Sequence, residues 1–232
     1  VRFLEQLFGQ EWEPFEYGLW TYDRSMLWPS GVRVNCHSTD QRAGRVTKGK
    51  ATIEIPGSAL DALGMAGIVV LMKGLTQYDF SSSRLDLYFD DRERIILPHV
   101  LYETVCSVTP AGQQIRKDYS GFRHIDIRGP SDGKKRVYDE CAFGRRGSKG
   151  SGKYLRVYDK ALESNGENPS VRWELELSDK RAKKAYEYLV LCASQDEDWQ
   201  QSFAQAIGAF IGGCIDFRHR DGRAGSKNLT RC

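Results

Sequence analysis

Apolar and polar positions alternate with a period of two in three separate stretches of the chain. In RLDLYFD, the period puts Arg84, Asp86, Tyr88 and Asp90 on one face of a strand and Leu85, Leu87 and Phe89 on the other. YLRVYDK repeats the arrangement, with Tyr154, Arg156, Tyr158 and Lys160 facing one way and Leu155, Val157 and Asp159 the other. VRWELEL, Val171 to Leu177, gathers Arg172, Glu174 and Glu176. Each stretch reads as a strand with one face in a core and one polar face.

Between and around these strands, ATIEI (Ala51 to Ile55) predicts a strand ended by Pro56-Gly57, after which Ser58 caps a helix through about Leu71. Pro98 opens a helix, PHVLYETVCSV. FRHIDIRG (Phe122 to Gly129) and RVYDECAFG (Arg136 to Gly144), separated by Pro130-Ser131-Asp132-Gly133, predict a hairpin. Ser178 caps a helix through about Cys192, and Ser194 with Glu197 forms a capping-box pattern for another. Strands and helices mix irregularly, which predicts an α+β fold with mainly antiparallel sheet and packed helices.

Composition narrows the class. The chain has 232 residues, 40% hydrophobic and 28% charged, which is ordinary globular usage and far from disorder. It is read as a single domain over residues 1–232, and its start at Val1 and stop at Cys232 suggest a fragment of a longer product. The apolar run from Ala62 to Met72 stops at Lys73, short of the roughly 18 residues a spanning helix needs, so no membrane partner is expected. The amino end carries acids and aromatics and does not read as a secretory signal. Six cysteines without a CxxC pair indicate neither a zinc site nor a disulfide framework, and a reducing cytoplasm is expected. Four scattered histidines form no metal pair.

If the three alternating strands share a sheet face, their polar residues form a site. Carboxylates at alternate strand positions stand about 7 Å apart, so neighbouring strands must close a ring around a hard cation, for which Mg²⁺ or Mn²⁺ is suited. A tyrosine beside Arg and Lys can act as a nucleophile, because the cations favour its phenolate and neutralise an attacked phosphate. Tyr154 and Tyr158 share a face, so periodicity does not choose between them. GSKGSGK, Gly147 to Lys153, imitates a phosphate-binding P-loop, yet Tyr154 stands where Ser or Thr should bind magnesium and a strand follows where a helix is required. Its cations Arg145, Arg146, Lys149 and Lys153 suit a nucleic-acid backbone track, on an exposed hairpin or loop.

Three segments, SRLDLYFDD, FGRRGSKGSGKYLRVYDKALE and RWELEL, together resemble the replication initiation factor family of rolling-circle initiators from staphylococcal-type plasmids, filamentous phages and some conjugative elements. The late IDFRHRD…NLTRC segment is most similar to the filamentous-phage branch. The resemblance implies a DNA nicking and closing enzyme that cuts one strand at a hairpin origin, stays linked through a tyrosine to the 5′ phosphate and leaves a 3′ hydroxyl. It implies Tyr158 as the nucleophile, flanked by Arg156, Lys160 and Arg172, and Asp86 and Glu174 as ligands of Mg²⁺ or Mn²⁺, joined by Asp90 or Glu176. Asp159 departs from the Asn often carried by plasmid members. The implied partners are origin DNA, a host helicase and polymerase, in the cytoplasm of a bacterial host, with a homodimer left open. Two other readings stand beside this one: a non-catalytic DNA-binding regulator on the same scaffold, and a metal-dependent nuclease that uses water.

Overall fold

The computed structural model describes residues 1–18, 22–36, 50–98, 101, 125–128, 140–144, 152–195 and 198–214. The chain, read from its sequence as one domain, clusters into two compact units, Val1–Phe80 and Ser81–Cys232. The architecture is α+β, with two antiparallel sheets and five helices among the described residues.

The first unit holds helix α1 (Arg2–Phe8), a meander of strands β1 (Glu13–Phe15), β2 (Arg24–Leu27), β3 (Arg33–Cys36) and β4 (Thr52–Glu54), and helix α2 (Gly57–Leu75). Trp28 is buried and donates its indole N–H to the Gly9 carbonyl at 3.0 Å, which ties the end of α1 to the sheet. Helix α2 begins after Pro56 with no side-chain cap, so Ser58 lies inside the first turn and is not the N-cap. The fixed φ of Pro56 sets the entry geometry that a hydroxyl was expected to supply. By length and apolar composition α2 could cross a membrane. It is broken, however, at Gly64, whose φ of 64° and ψ of 176° are open to glycine alone. The arm Met65–Leu75 covers roughly half of a bilayer's ~30 Å hydrocarbon layer.

The second unit carries the three alternating strands. Its sheet has the order β5-β9-β8-β7-β6, with β5 Arg84–Asp91, β6 Ile125–Arg128, β7 Glu140–Gly144, β8 Lys153–Asp159 and β9 Val171–Ser178. All neighbours are antiparallel. β6 and β7 pair as the expected hairpin, whose connection lies outside the described residues. Gly144 at the end of β7 pairs with Tyr154 of β8, and residues 145–151 of the basic segment between them lie outside the described residues. The short helix α3 (Lys160–Glu163) follows β8 and is capped by the Asp159 side chain.

One face of this sheet is apolar. Leu87, Leu155, Val157, Phe143, Trp173, Leu175 and Leu177 are buried, and Phe89 stacks on Trp173 at 5.8 Å between centroids. Helices α4 (Asp179–Gln195) and α5 (Trp199–Gly212) pack on β5 and β9 through buried residues that include Ala182, Ala185, Leu189, Phe203 and Ala206. Ser194 does not cap the second of these helices. It is still inside α4, where its hydroxyl bonds back to the Val190 carbonyl at 2.7 Å, and Asp198 precedes α5. A Ser in a last turn satisfies itself on the previous carbonyl, which a capping-box pattern alone does not reveal.

Leu175 lies at the centre of this apolar layer, 1% exposed, between Leu87 and Leu155. Leu175→Ala should therefore destabilise the protein by about 2–5 kcal/mol, read as a lowered denaturant midpoint with an unchanged slope. A loss below about 1 kcal/mol would show that the layer collapses freely around the missing side chain.

Candidate nucleic-acid cleavage site

The opposite face of the same sheet is polar, and antiparallel register builds it in rows. Asp86, Glu176 and Tyr154 are opposed across β5, β9 and β8; Tyr88, Glu174 and Arg156 form the next row; Asp90, Arg172 and Tyr158 the third. Every candidate residue of β5, β8 and β9 named for catalysis or metal binding therefore shares one face. Lys160, just beyond β8, places its ammonium 5.9 Å from the centre of the Tyr158 ring.

Tyr158 is 3% exposed and donates its hydroxyl hydrogen to Glu174 Oε2 at 3.1 Å. Glu174 Oε1 accepts from Arg156 Nη2 at 2.5 Å, and the Arg156 guanidinium lies 5.0 Å from the Tyr158 ring centre. Burial, and after it the charges of Glu174 and Glu163, push the Tyr158 phenol well above its ordinary range against the opposing pull of Arg172 and Arg156. This corrects the expectation that flanking cations favour the phenolate. They are present, but each faces a carboxylate as well as the tyrosine, so desolvation decides the direction.

Arg172 is held in one orientation. Its Nε and Nη2 donate to the two oxygens of Asp90 at 2.7 and 2.8 Å, and its guanidinium lies 3.9 Å from the Tyr88 ring centre. Asn168 adds a third donor to Asp90 at 3.2 Å. Burial works to raise the Asp90 carboxyl, but the Arg172 hydrogen bonds and charge overcome it and hold the group below its usual range. The Arg172 guanidinium is correspondingly raised by Asp90 despite burial.

Asp86 and Glu176 meet on Arg84, whose Nη2 lies 2.6 Å from Asp86 Oδ2 and 3.0 Å from Glu176 Oε2. Arg84 is exposed, with 57% of its side chain accessible, so this guanidinium has room to swing away, while Glu176, 12% accessible, would then call for another cation. The four carboxylates proposed for metal are thus on one face but turned toward three different arginines. Among the described residues no three His, Cys, Asp or Glu side chains gather as a metal cluster. The donors fit a hard divalent cation in kind, and Asp86 with Glu176 fits best in placement.

Of the basic track, Arg145, Arg146 and Lys149 lie outside the described residues. Lys153 pairs with Leu177 and so sits on the opposite sheet face from Tyr158. There, with Arg181, it opposes the upward push of burial on the Cys214 thiol.

Sequence reasoning missed Glu140, which is 3% exposed and directly opposite Tyr158 in the β7–β8 register. Its charge helps to raise Arg156, although the Glu174 partner does more. The pairing of Gly144 with Tyr154 would have found it, had the hairpin centre been known.

No family model matches the sequence, and no curated protein matches it. Among solved structures, the chain is similar to one titled as a rolling circle replication initiator protein from Geobacillus stearothermophilus, with a TM-score of 0.68 and 16% identity, over 100% of this chain and 82% of that one. The two share a fold. The IDFRHRD…NLTRC segment, on which likeness to the phage branch rests, lies outside the described residues.

The arrangement fixes the signs of two changes at Tyr158. Glu174→Gln removes a charge that raises the phenol, so its titration should move down toward pH 10, the ordinary value, while Arg156→Gln should move it further up. Tyrosine ¹³Cζ resonances, with Tyr158 assigned by its loss in Tyr158→Phe, measure both. Shifts of the same sign in the two variants would exclude the described pairing.

Proposed function

We propose that this chain is a rolling-circle DNA replication initiator that nicks one strand of an origin by transesterification onto Tyr158 and later rejoins the ends. The observation that carries the reading is the Tyr158–Glu174 hydrogen bond set among Arg156, Lys160 and Arg172. The fold shared with a protein titled as a rolling-circle initiator supports it. Its partners on this reading are origin DNA, a host helicase and a polymerase, in the cytoplasm of a bacterial host.

The chemistry follows from the contacts. Tyr158 Oη gives its proton to Glu174 Oε2 and attacks the phosphorus. The bond from phosphorus to the 3′ oxygen breaks, the leaving oxygen takes a proton from water, and Glu174 releases its proton to solvent. One phosphoester replaces another, so the linkage remains available for rejoining. Arg156 Nε is buried without a hydrogen-bond partner among the described residues. A phosphate oxygen supplies the acceptor that this donor lacks.

Among the described residues of this face, Arg84, Arg156, Arg172 and Lys160 are already paired with carboxylates: Asp86 and Glu176, Glu174, Asp90 and Glu163 respectively. An incoming phosphodiester therefore calls for added positive charge. Asp86 and Glu176, with Glu174 adjacent, would hold Mg²⁺ or Mn²⁺, and Asp90 would stay with Arg172. Such an ion, when bound, supplies Lewis-acid charge beside the phosphate.

The test is a denaturing gel of the protein with labelled single-stranded origin DNA. Tyr158→Phe should abolish the covalent adduct and leave DNA affinity within about twofold, as loss of one hydroxyl does not touch the backbone contacts. Tyr154→Phe should retain the adduct, and chelation by EDTA should stop its formation. Adduct persisting in Tyr158→Phe but lost in Tyr154→Phe would transfer the role to Tyr154, and full cleavage in excess EDTA would remove the metal.

The basic segment grips the DNA backbone on the same reading, because a net charge of +3 leaves affinity to local clusters. Replacing Arg145, Arg146 and Lys149 by Ala should weaken specific and unrelated DNA alike and flatten the dependence of log affinity on log salt. An unchanged slope would show that the segment does not touch phosphates.

A further inference from the structure

Arg94 lies in the turn after β5 with φ at 53°, a left-handed conformation that glycine adopts freely and arginine does not. The turn is fixed by Asp91, whose carbonyl accepts from Arg94 N at 3.3 Å and whose carboxylate accepts from Ile95 N at 2.8 Å. From this strained position the guanidinium spans 65 residues of sequence to Asp159, donating Nη1 to Oδ1 at 3.2 Å and Nη2 to Oδ2 at 2.5 Å. Asp159 is 8% exposed and also accepts from Ala161 N at 3.0 Å as the cap of α3.

A turn alone would be served by glycine at 94, and a helix cap alone would be served by asparagine at 159. The strain and the second pair of hydrogen bonds are explained by the clamp they form together. Asp159 is the residue between Tyr158 and Lys160, and its side chain leaves β8 on the opposite side from Tyr158. It acts on the tyrosine through the backbone and not by contact.

We propose that the Arg94–Asp159 ion pair clamps the end of β8 and that both are positioning residues, holding Tyr158 and Lys160 in register with Glu174 and Arg172; this rests on the reading of Tyr158 as the nucleophile. The clamp joins the turn after β5 to the strand carrying the nucleophile, while the bulk of β9 separates the two strands within the sheet.

The experiment uses Arg94→Gly, Asp159→Asn and the double variant, with Arg94→Lys as the conservative control. Measured are the rate of adduct formation on single-stranded origin DNA, DNA affinity, melting temperature and the Tyr158 ¹³Cζ resonance. Arg94→Gly relieves the backbone strain but leaves Asp159, 8% exposed, with only its cap hydrogen bond, so its melting temperature should fall by about a few degrees, while its adduct rate, measured well below that temperature, falls about tenfold to a hundredfold at unchanged DNA affinity. Asp159→Asn keeps the cap and should lose rate to the same extent. The double variant should lose no more than either single one, and Arg94→Lys should recover part of the rate. Rates that hold in both single variants, or fall only in step with melting temperature, overturn the proposal. If the wild-type chain forms no adduct, the nucleophile reading fails by itself and the resonance decides the clamp: a shift or broadening of Tyr158 in both variants supports it, and an unchanged resonance overturns it.

Discussion

Register between β8 and β9 is the constraint from which the site follows. Arg156 faces Glu174 and Tyr158 faces Arg172 because those residues are paired partners, and a slip by one position would send all four into the helix-packed layer. What forbids that slip lies on the other face, where Leu155, Val157, Trp173 and Leu175 are all buried and would have to enter water. The hydrophobic effect on one face thus sets the placement of ionic chemistry on the other.

The ion pairs themselves orient more than they stabilise. Arg172 and Asp90 keep only 14% and 19% of their side chains accessible, so removing them from water offsets much of their attraction. What the bidentate geometry and the Tyr88 ring supply is a single direction for a planar guanidinium, with its rotamer freedom already lost before any ligand arrives. Exposed Arg84 is the contrast. Its own side chain is mostly in water and its partner Asp86 is partly so, although Glu176 is not, which makes it more readily exchanged than Arg172.

Much of this was legible in the chain. A period of two assigned the correct face to every residue of RLDLYFD and VRWELEL and to YLRVYDK as far as Asp159, since alternation is a local property of an extended backbone, whereas Lys160 already opens α3. Which strands are neighbours is not local, and there the sequence was silent. Glu140 and Arg94 enter the site's surroundings through β7–β8 pairing and a contact across the fold, neither of which leaves a periodic trace. Helix starts were misread at Ser58 and Ser194 because a hydroxyl near a helix end has several acceptors and donors within reach, and pattern alone does not say which it takes. The pKa direction of Tyr158 was misread for a related reason. Charge can be counted in a sequence, but desolvation depends on how deeply a ring is buried.

On the proposed reading of Tyr158 as the nucleophile, its burial and protonation have a consequence for timing. In the protein alone, Tyr158 is kept a phenol by burial and by the carboxylate that accepts its hydrogen. A phosphodiester entering beside it brings negative charge, which by itself would hold the phenol still more firmly protonated. Reaction therefore requires that substrate binding release positive charge toward the phosphate and leave Glu174 free to take the proton. Arg156 is placed to make that exchange, since it shares Glu174 with Tyr158 and carries a buried donor that lacks an acceptor. On the proposed reading, Arg156 turning from the carboxylate to the phosphate would leave Glu174 without its counter-ion, and so the stronger base, at the moment when the developing charge on phosphorus needs the guanidinium. On that reading nucleophile, base and phosphate are coupled through Arg156, and the tyrosine stays unreactive until DNA is in place.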